Sequence, residues 1–100
     1  MPKGYWIAHV DVTDAEGYKE YVALNAIAFA KYKPKFLVRG GQFTKKAGQP
    51  RARHVVLEFE SYEKALACYE SPEYQAAVAK RDKYSSADVI VIEGYDGPQP

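Results

Sequence analysis

Three polar side chains interrupt otherwise apolar stripes, and they are where this sequence of 100 residues could do chemistry. Asn25 falls between Val22 and Phe29 on the inward stripe of a helical stretch. Arg81 follows Tyr74 and Val78 at helical spacing, so it too points at the protein body. Arg39 stands directly before Gly40-Gly41, a pair that leaves room for a ligand or a second backbone. A buried carboxamide without a partner costs about 1–3 kcal/mol, so Asn25 either ties down a backbone group or lines a pocket. Arg81 either joins an ion pair with Glu58, Glu60 or a dimer mate, or clamps a carboxylate or phosphate in its planar fork. Arg39 faces the same choice between an ion-paired surface role and the rim of a ligand site. Tyr74, with Tyr18, Tyr21 and Tyr32, either fills the core or encloses the apolar part of a ligand. His9 shares a strand face with Asp11, the pairing of a base with its orienting carboxylate. Residues two apart on a strand are roughly 7 Å between Cα atoms, so a packing or dimer contact competes with catalysis there. The candidate ligand-binding residues are thus Asn25, Arg39, Tyr74, Arg81 and His9. The catalytic residue stays unassigned.

Other chemistries fall away. His54 opens a strand and carries no role, and two distant histidines with one cysteine and no clustered carboxylates make no metal site. Neither metal nor other cofactor is expected. No Gly-rich phosphate loop, nucleophile elbow or zinc-protease motif occurs. Fourteen Lys+Arg against thirteen Asp+Glu give a formal net charge of +1, with basic residues spread out, which argues against nucleic acid. The single Cys68 cannot form an internal disulfide and suits a reducing compartment. No apolar run approaches a membrane span, and Met1-Pro2-Lys3-Gly4 leads straight into a strand-like segment without a signal-peptide pattern. A cytoplasmic protein is expected.

The elements that must position these residues follow from periodicity. Residues 4–12 read as a strand, with Tyr5, Ile7, His9 and Asp11 on one face and Trp6, Ala8, Val10 and Val12 on the other. Thr13-Asp14-Ala15-Glu16 is a capping-box pattern with Thr13 as the cap. The following helix carries Tyr18, Tyr21, Val22, Asn25, Phe29 and Tyr32 as one stripe and stops by Lys33, ahead of Pro34. A second strand spans 35–43 with the two glycines inside it, and 45–53 reads as a polar hairpin loop. A third strand covers 54–60. Ser61 caps a short helix to about Tyr69, and Ser71-Pro72 opens another bearing Tyr74, Ala77, Val78 and Arg81 on one face. The last strand covers 87–94, and residues 97–100 form a flexible tail to a single domain of 1–96.

Strand, helix, strand, strand, helix pair, strand is the ferredoxin-like βαββαβ order of the α+β class. It gives a four-stranded antiparallel sheet with helices on one face. Both faces of the last strand are apolar, Ile90 and Ile92 against Val89 and Val91, whereas a sheet facing water alternates more cleanly. A homodimer through the sheet face follows.

The segments GYWIAHVDVTD, FAKYKPKFLVRGG, VVLEFESYEKALACYESPEYQAAVAKR and ADVIVIEG together resemble the domain-of-unknown-function 1330 family across nearly the whole chain. The RGG and SPEYQ segments are the most specific parts. The resemblance implies membership of the dimeric α/β barrel superfamily, which includes cofactor-free monooxygenases, muconolactone-isomerase-like proteins and haem-using members. The turn after the first helix is often glycine-rich in the family and is Lys33-Pro34-Lys35 here. Three functions stand: a cofactor-independent enzyme acting on a small organic acid or aromatic, a non-catalytic binder or sensor of a small anion, and a structural or partner-binding dimer.

Overall fold

Aromatic and β-branched residues favour extended backbone, and Gly4–Val12 forms β1 in a computed structural model that describes residues 2–100. Then come α1 (Ala15–Tyr32), β2 (Lys35–Arg39), β3 (Arg53–Phe59), α2 (Tyr62–Glu70), α3 (Pro72–Tyr84) and β4 (Ser85–Glu93). The four strands form one antiparallel sheet in the order β2-β3-β1-β4. This is the ferredoxin-like βαββαβ fold, its second helical segment split in two as expected.

The caps explain the helix limits. Asp14, not Thr13, caps α1: its side chain accepts from the Gly17 N–H at 3.0 Å. Thr13 is instead held by the C-terminal end of α3, because its N–H and that of Asp14 both donate to the Tyr84 carbonyl. Those bonds fasten the β1–α1 turn to the α3–β4 junction. Lys33 ends α1 in the left-handed conformation at φ 53°, where glycine would sit without strain. Ser61 and Ser71 cap α2 and α3, and Pro72 occupies the first turn of α3.

One expectation about the second strand is corrected. It ends at Arg39, so Gly40 and Gly41 follow the strand and do not interrupt it. The irregularity lies earlier. Phe36 pairs with Leu57 but Val38 pairs with Val56, so Leu37 is an extra residue opposite no partner. Strands alternate sides with period two, and one inserted residue shifts that alternation. Phe36 and Arg39 therefore share the helix-facing side, and Val38 goes to the other.

The core lies between the helices and the sheet: Trp6, Tyr21, Ala28, Leu57, Phe59, Ala65, Cys68, Tyr74 and Ala77. Trp6 is its hub, with ring centroids within 4.7–5.6 Å of Phe29, Phe59, Tyr69 and Tyr74. Its indole N–H donates to the Ala65 carbonyl at 2.8 Å. Gly4 allows the α2 N-terminus to sit this close to β1, since a side chain there would run into the Ser61 backbone.

Cys68 is fully buried, and burial, reinforced by the Glu73 charge, pushes its thiol up to about 12. The thiolate is the reactive form. Cys68 is thus expected to stay unmodified by a disulfide reagent in the native protein at mildly alkaline pH and to react at once in denaturant. Prompt labelling under native conditions would place it outside the core.

The sheet's second face carries a continuous apolar row. The register places Val38 beside Val56, Val56 beside Ile7, and Ile7 beside Ile90, one residue from each strand. Val38, Ile90 and Ile92 are exposed.

Candidate functional site

Of the five sequence candidates, Asn25, Arg39, Tyr74 and Arg81 line one cavity between the helices and the sheet, and His9 does not. The cavity measures about 60 Å³. Its apolar walls come from Trp6, Ala8 and Val10 of β1, Phe29 of α1, Phe36 of β2, Val55 and Leu57 of β3, and Val89 of β4. The α1 stripe turns Tyr18, Tyr21 and Asn25 into it, while Val22 is exposed and forms part of its edge.

Arg81 is the deepest charge in the site, being 8% exposed. The expected ion pair with Glu58 or Glu60 is overturned. Glu58 accepts from the Tyr5 hydroxyl on the far face of the sheet, and Glu60 pairs with Lys64. Arg81 instead uses Nη1 to donate to the hydroxyls of Tyr69 at 3.1 Å and Tyr74 at 3.4 Å, and Nε to donate to the exposed Asp82 at 3.2 Å. Among the described residues Nη2 has no such partner. Burial acts to lower the pKa of Arg81, but the hydrogen bond to Tyr69 and the neighbouring Tyr74 outweigh it. The guanidinium keeps its charge.

Tyr74 is 1% exposed and lies 2.7 Å from the Tyr21 hydroxyl, oxygen to oxygen. Because its oxygen accepts from Arg81, its own hydrogen is available to Tyr21. Burial raises its pKa strongly, and coupling to Tyr21 adds to that rise against the lowering by Arg81. The group is a neutral phenol that holds geometry and offers no base.

Two further arginines complete the lining. Arg39 reaches the cavity because of the Leu37 bulge, and its guanidinium stacks 4.2 Å from the Phe36 ring centroid. Arg53, which the sequence reading placed in a loop, is the first residue of β3 and shares the inward side with Val55, Leu57 and Phe59. Its parity with those residues is the signal that would have found it. Gly40, at φ +65°, gives it room, since a side chain there would meet the Arg53 guanidinium. Among the described residues neither Arg39 nor Arg53 has a carboxylate within ion-pair distance, and no carboxylate or imidazole lines the cavity.

His9 belongs to the opposite face of the sheet. Antiparallel register sets it directly against His54, Nδ1 to Nδ1 at 2.7 Å, with the Phe43 ring edge-on to His54. Asp11, expected to orient His9, is taken by Arg51 at 3.0 Å and by the Ala52 N–H at 2.8 Å. Arg51 also donates to Asp88, so it latches the β2–β3 loop to the sheet. His54 Nε2 is buried without a partner. One of the two facing Nδ1 atoms carries the hydrogen and the other accepts it, the direction following the tautomers of the two rings. Pairing across two strands is set by register, which brings His54, at the start of its strand, to His9.

A family model described as a domain of unknown function (DUF1330) matches residues 3–95. No curated protein matches the chain. Solved structures share the fold at low identity. A protein of unknown function from Rhodopseudomonas palustris is 17% identical, with a TM-score of 0.70 over 96% of this chain and 85% of that one. SnoaB, a cofactor-independent oxygenase from Streptomyces nogalater, is 10% identical, with a TM-score of 0.65 over 100% of this chain and 97% of that one. A protein of unknown function from Thermobifida fusca, described as dimeric and ferredoxin-like, is 14% identical, with a TM-score of 0.63 over 92% and 91%. No helix of the described residues is long and apolar enough to cross a membrane.

Proposed function

The chain belongs to the DUF1330 family, and within that frame we propose that it binds a small organic acid in the cavity between helices and sheet. The observation that carries this reading is three guanidinium groups on an apolar cavity that no carboxylate lines. Taking a cation out of water, as for the buried Arg81, is costly unless it is paired, and three guanidinium groups on one cavity repel one another. A bound carboxylate relieves both. Arg81 supplies the buried donor, Asn25 a second polar contact, and the tyrosines and Phe29 enclose the apolar remainder.

Cofactor-independent oxygenation of an organic acid or aromatic is the second reading, favoured by the fold shared with SnoaB and by the aromatic walls. The arginines would stabilise a developing carbanion or enolate charge. Against it, the lining offers no side chain to take a proton. Oxygen uptake on adding an aromatic acid separates the two readings.

The homodimer is part of the proposal. Fold relatives are described as dimeric, and the row Val38–Val56–Ile7–Ile90 is the face a second copy would cover. Cytoplasmic residence fits the single buried thiol.

A thermal-shift comparison of propionate with propionamide at constant ionic strength tests the binding. Ligand at ten times its Kd adds about 1.4 kcal/mol. For a domain this size that raises Tm by roughly 6 °C or more. Propionate is expected to produce the rise and propionamide to leave Tm in place; equal behaviour of acid and amide removes the anion site.

A further inference from the structure

We propose that the cavity selects a short dicarboxylate, one carboxylate held by Arg81 on the helix wall and the other by Arg53 with Arg39 on the sheet wall. The inference rests on the anion reading above and names its substrate class. The charge count favours two negative charges over one. Three cations line the cavity, and among the described residues the only carboxylate that touches any of them is Asp82, 66% exposed and bound at Arg81 Nε. A monocarboxylate on Arg81 leaves both sheet-wall arginines uncompensated.

The two walls are separate but face one space. Arg81 reaches in from α3, anchored through Nη1 to Tyr69 and Tyr74, with its Nη2 edge remaining for a ligand. Arg39 and Arg53 come from adjacent strands. Arg39 pairs with Val55, and Arg53 lies two residues before Val55 on the same side. Tyr18 lines the same cavity, and while burial raises its pKa most, the charges of Arg53 and Arg81 both act to lower it.

Two local devices place the sheet-wall pair, and both lie in or beside the Arg39-Gly40-Gly41 segment. The Leu37 bulge turns Arg39 inward, and Gly40 supplies the space that the Arg53 guanidinium fills. Size agrees with a short diacid. At about 10–15 Å³ for each water-sized position, 60 Å³ holds roughly four to six such positions, with the exposed Arg39 end open beyond them. A single-centred dianion such as sulfate matches the charge but has no second carboxylate to place on the opposite wall.

Calorimetric titration of the wild-type chain with malonate, succinate, propionate and sulfate at one ionic strength reads this directly. Malonate or succinate is expected to bind about ten-fold tighter than both propionate and sulfate, which corresponds to about 1.4 kcal/mol. Arg53→Met should weaken the diacid more than propionate and bring the two to within about two-fold of each other. Arg39→Met, at an exposed position, should narrow the gap in the same direction and serves if Arg53→Met does not fold. Propionate binding as tightly as the diacids, or sulfate matching them, overturns the dicarboxylate assignment and leaves the anion reading intact. Binding by none of the carboxylates overturns both.

Discussion

Trp6→Ala is expected to cost about 3–5 kcal/mol of unfolding free energy, the largest loss of any single truncation in this chain. Four aromatic rings pack on the indole, and removing it opens a void that the surrounding sheet and helices can only partly close. Against a total stability of about 5–15 kcal/mol for a domain, that loss takes the protein near its unfolding threshold. Trp6→Phe retains a ring but not the N–H that reaches the Ala65 carbonyl, so it should fall between Ala and wild type. Urea unfolding at fixed temperature measures both. A cost for Trp6→Ala of about 1 kcal/mol or less would mean that the residue is not the hub of the core.

Ile90→Glu and Val91→Glu, one residue apart, should have opposite consequences. Ile90 is 51% exposed and ends the apolar row on the outer sheet face. Val91 packs against the core. In the proposed dimer, a glutamate at 90 places two like charges in an apolar interface, and light scattering should report a drop from twice 11.2 kDa to one protomer. The protomer should keep its circular dichroism. A glutamate at 91 buries an unpaired carboxylate under the helices, so it should unfold the chain or lower its melting temperature steeply. A wild-type chain that already runs as one protomer removes the dimer, and an Ile90→Glu chain that unfolds removes the assignment of faces.

The sequence carried the fold because each element announces itself locally. The strand pattern at 4–12, the proline at 34, and the Ser71-Pro72 start need nothing distant to be understood. The helix-borne part of the cavity was equally legible, since Asn25, Tyr74 and Arg81 are polar or amphipathic breaks in a 3.6-residue stripe. What escaped depends on pairing. The bulge at Leu37 is defined only against β3, and the Gly40-Gly41 pair lies three residues beyond it. Arg53 seemed to be loop because the polar run before it hid the first residue of the strand. His9 found its partner in His54 through register, not through the nearby Asp11, which the loop residue Arg51 had taken.

The bulge at Leu37 makes the pairing of β2 with β3, as much as the identity of any residue, a determinant of what this cavity accepts. Were Leu37 instead drawn into the ladder opposite Val56, Val38 would move opposite Val55 and Arg39 opposite His54, and the inward and outward residues beyond it would change places. A guanidinium would leave the cavity and a valine would take its direction, with every other side chain in the wall untouched. A chain of this fold whose β2 paired without the bulge would then present one cation fewer to an acid while sharing one core and one set of helices.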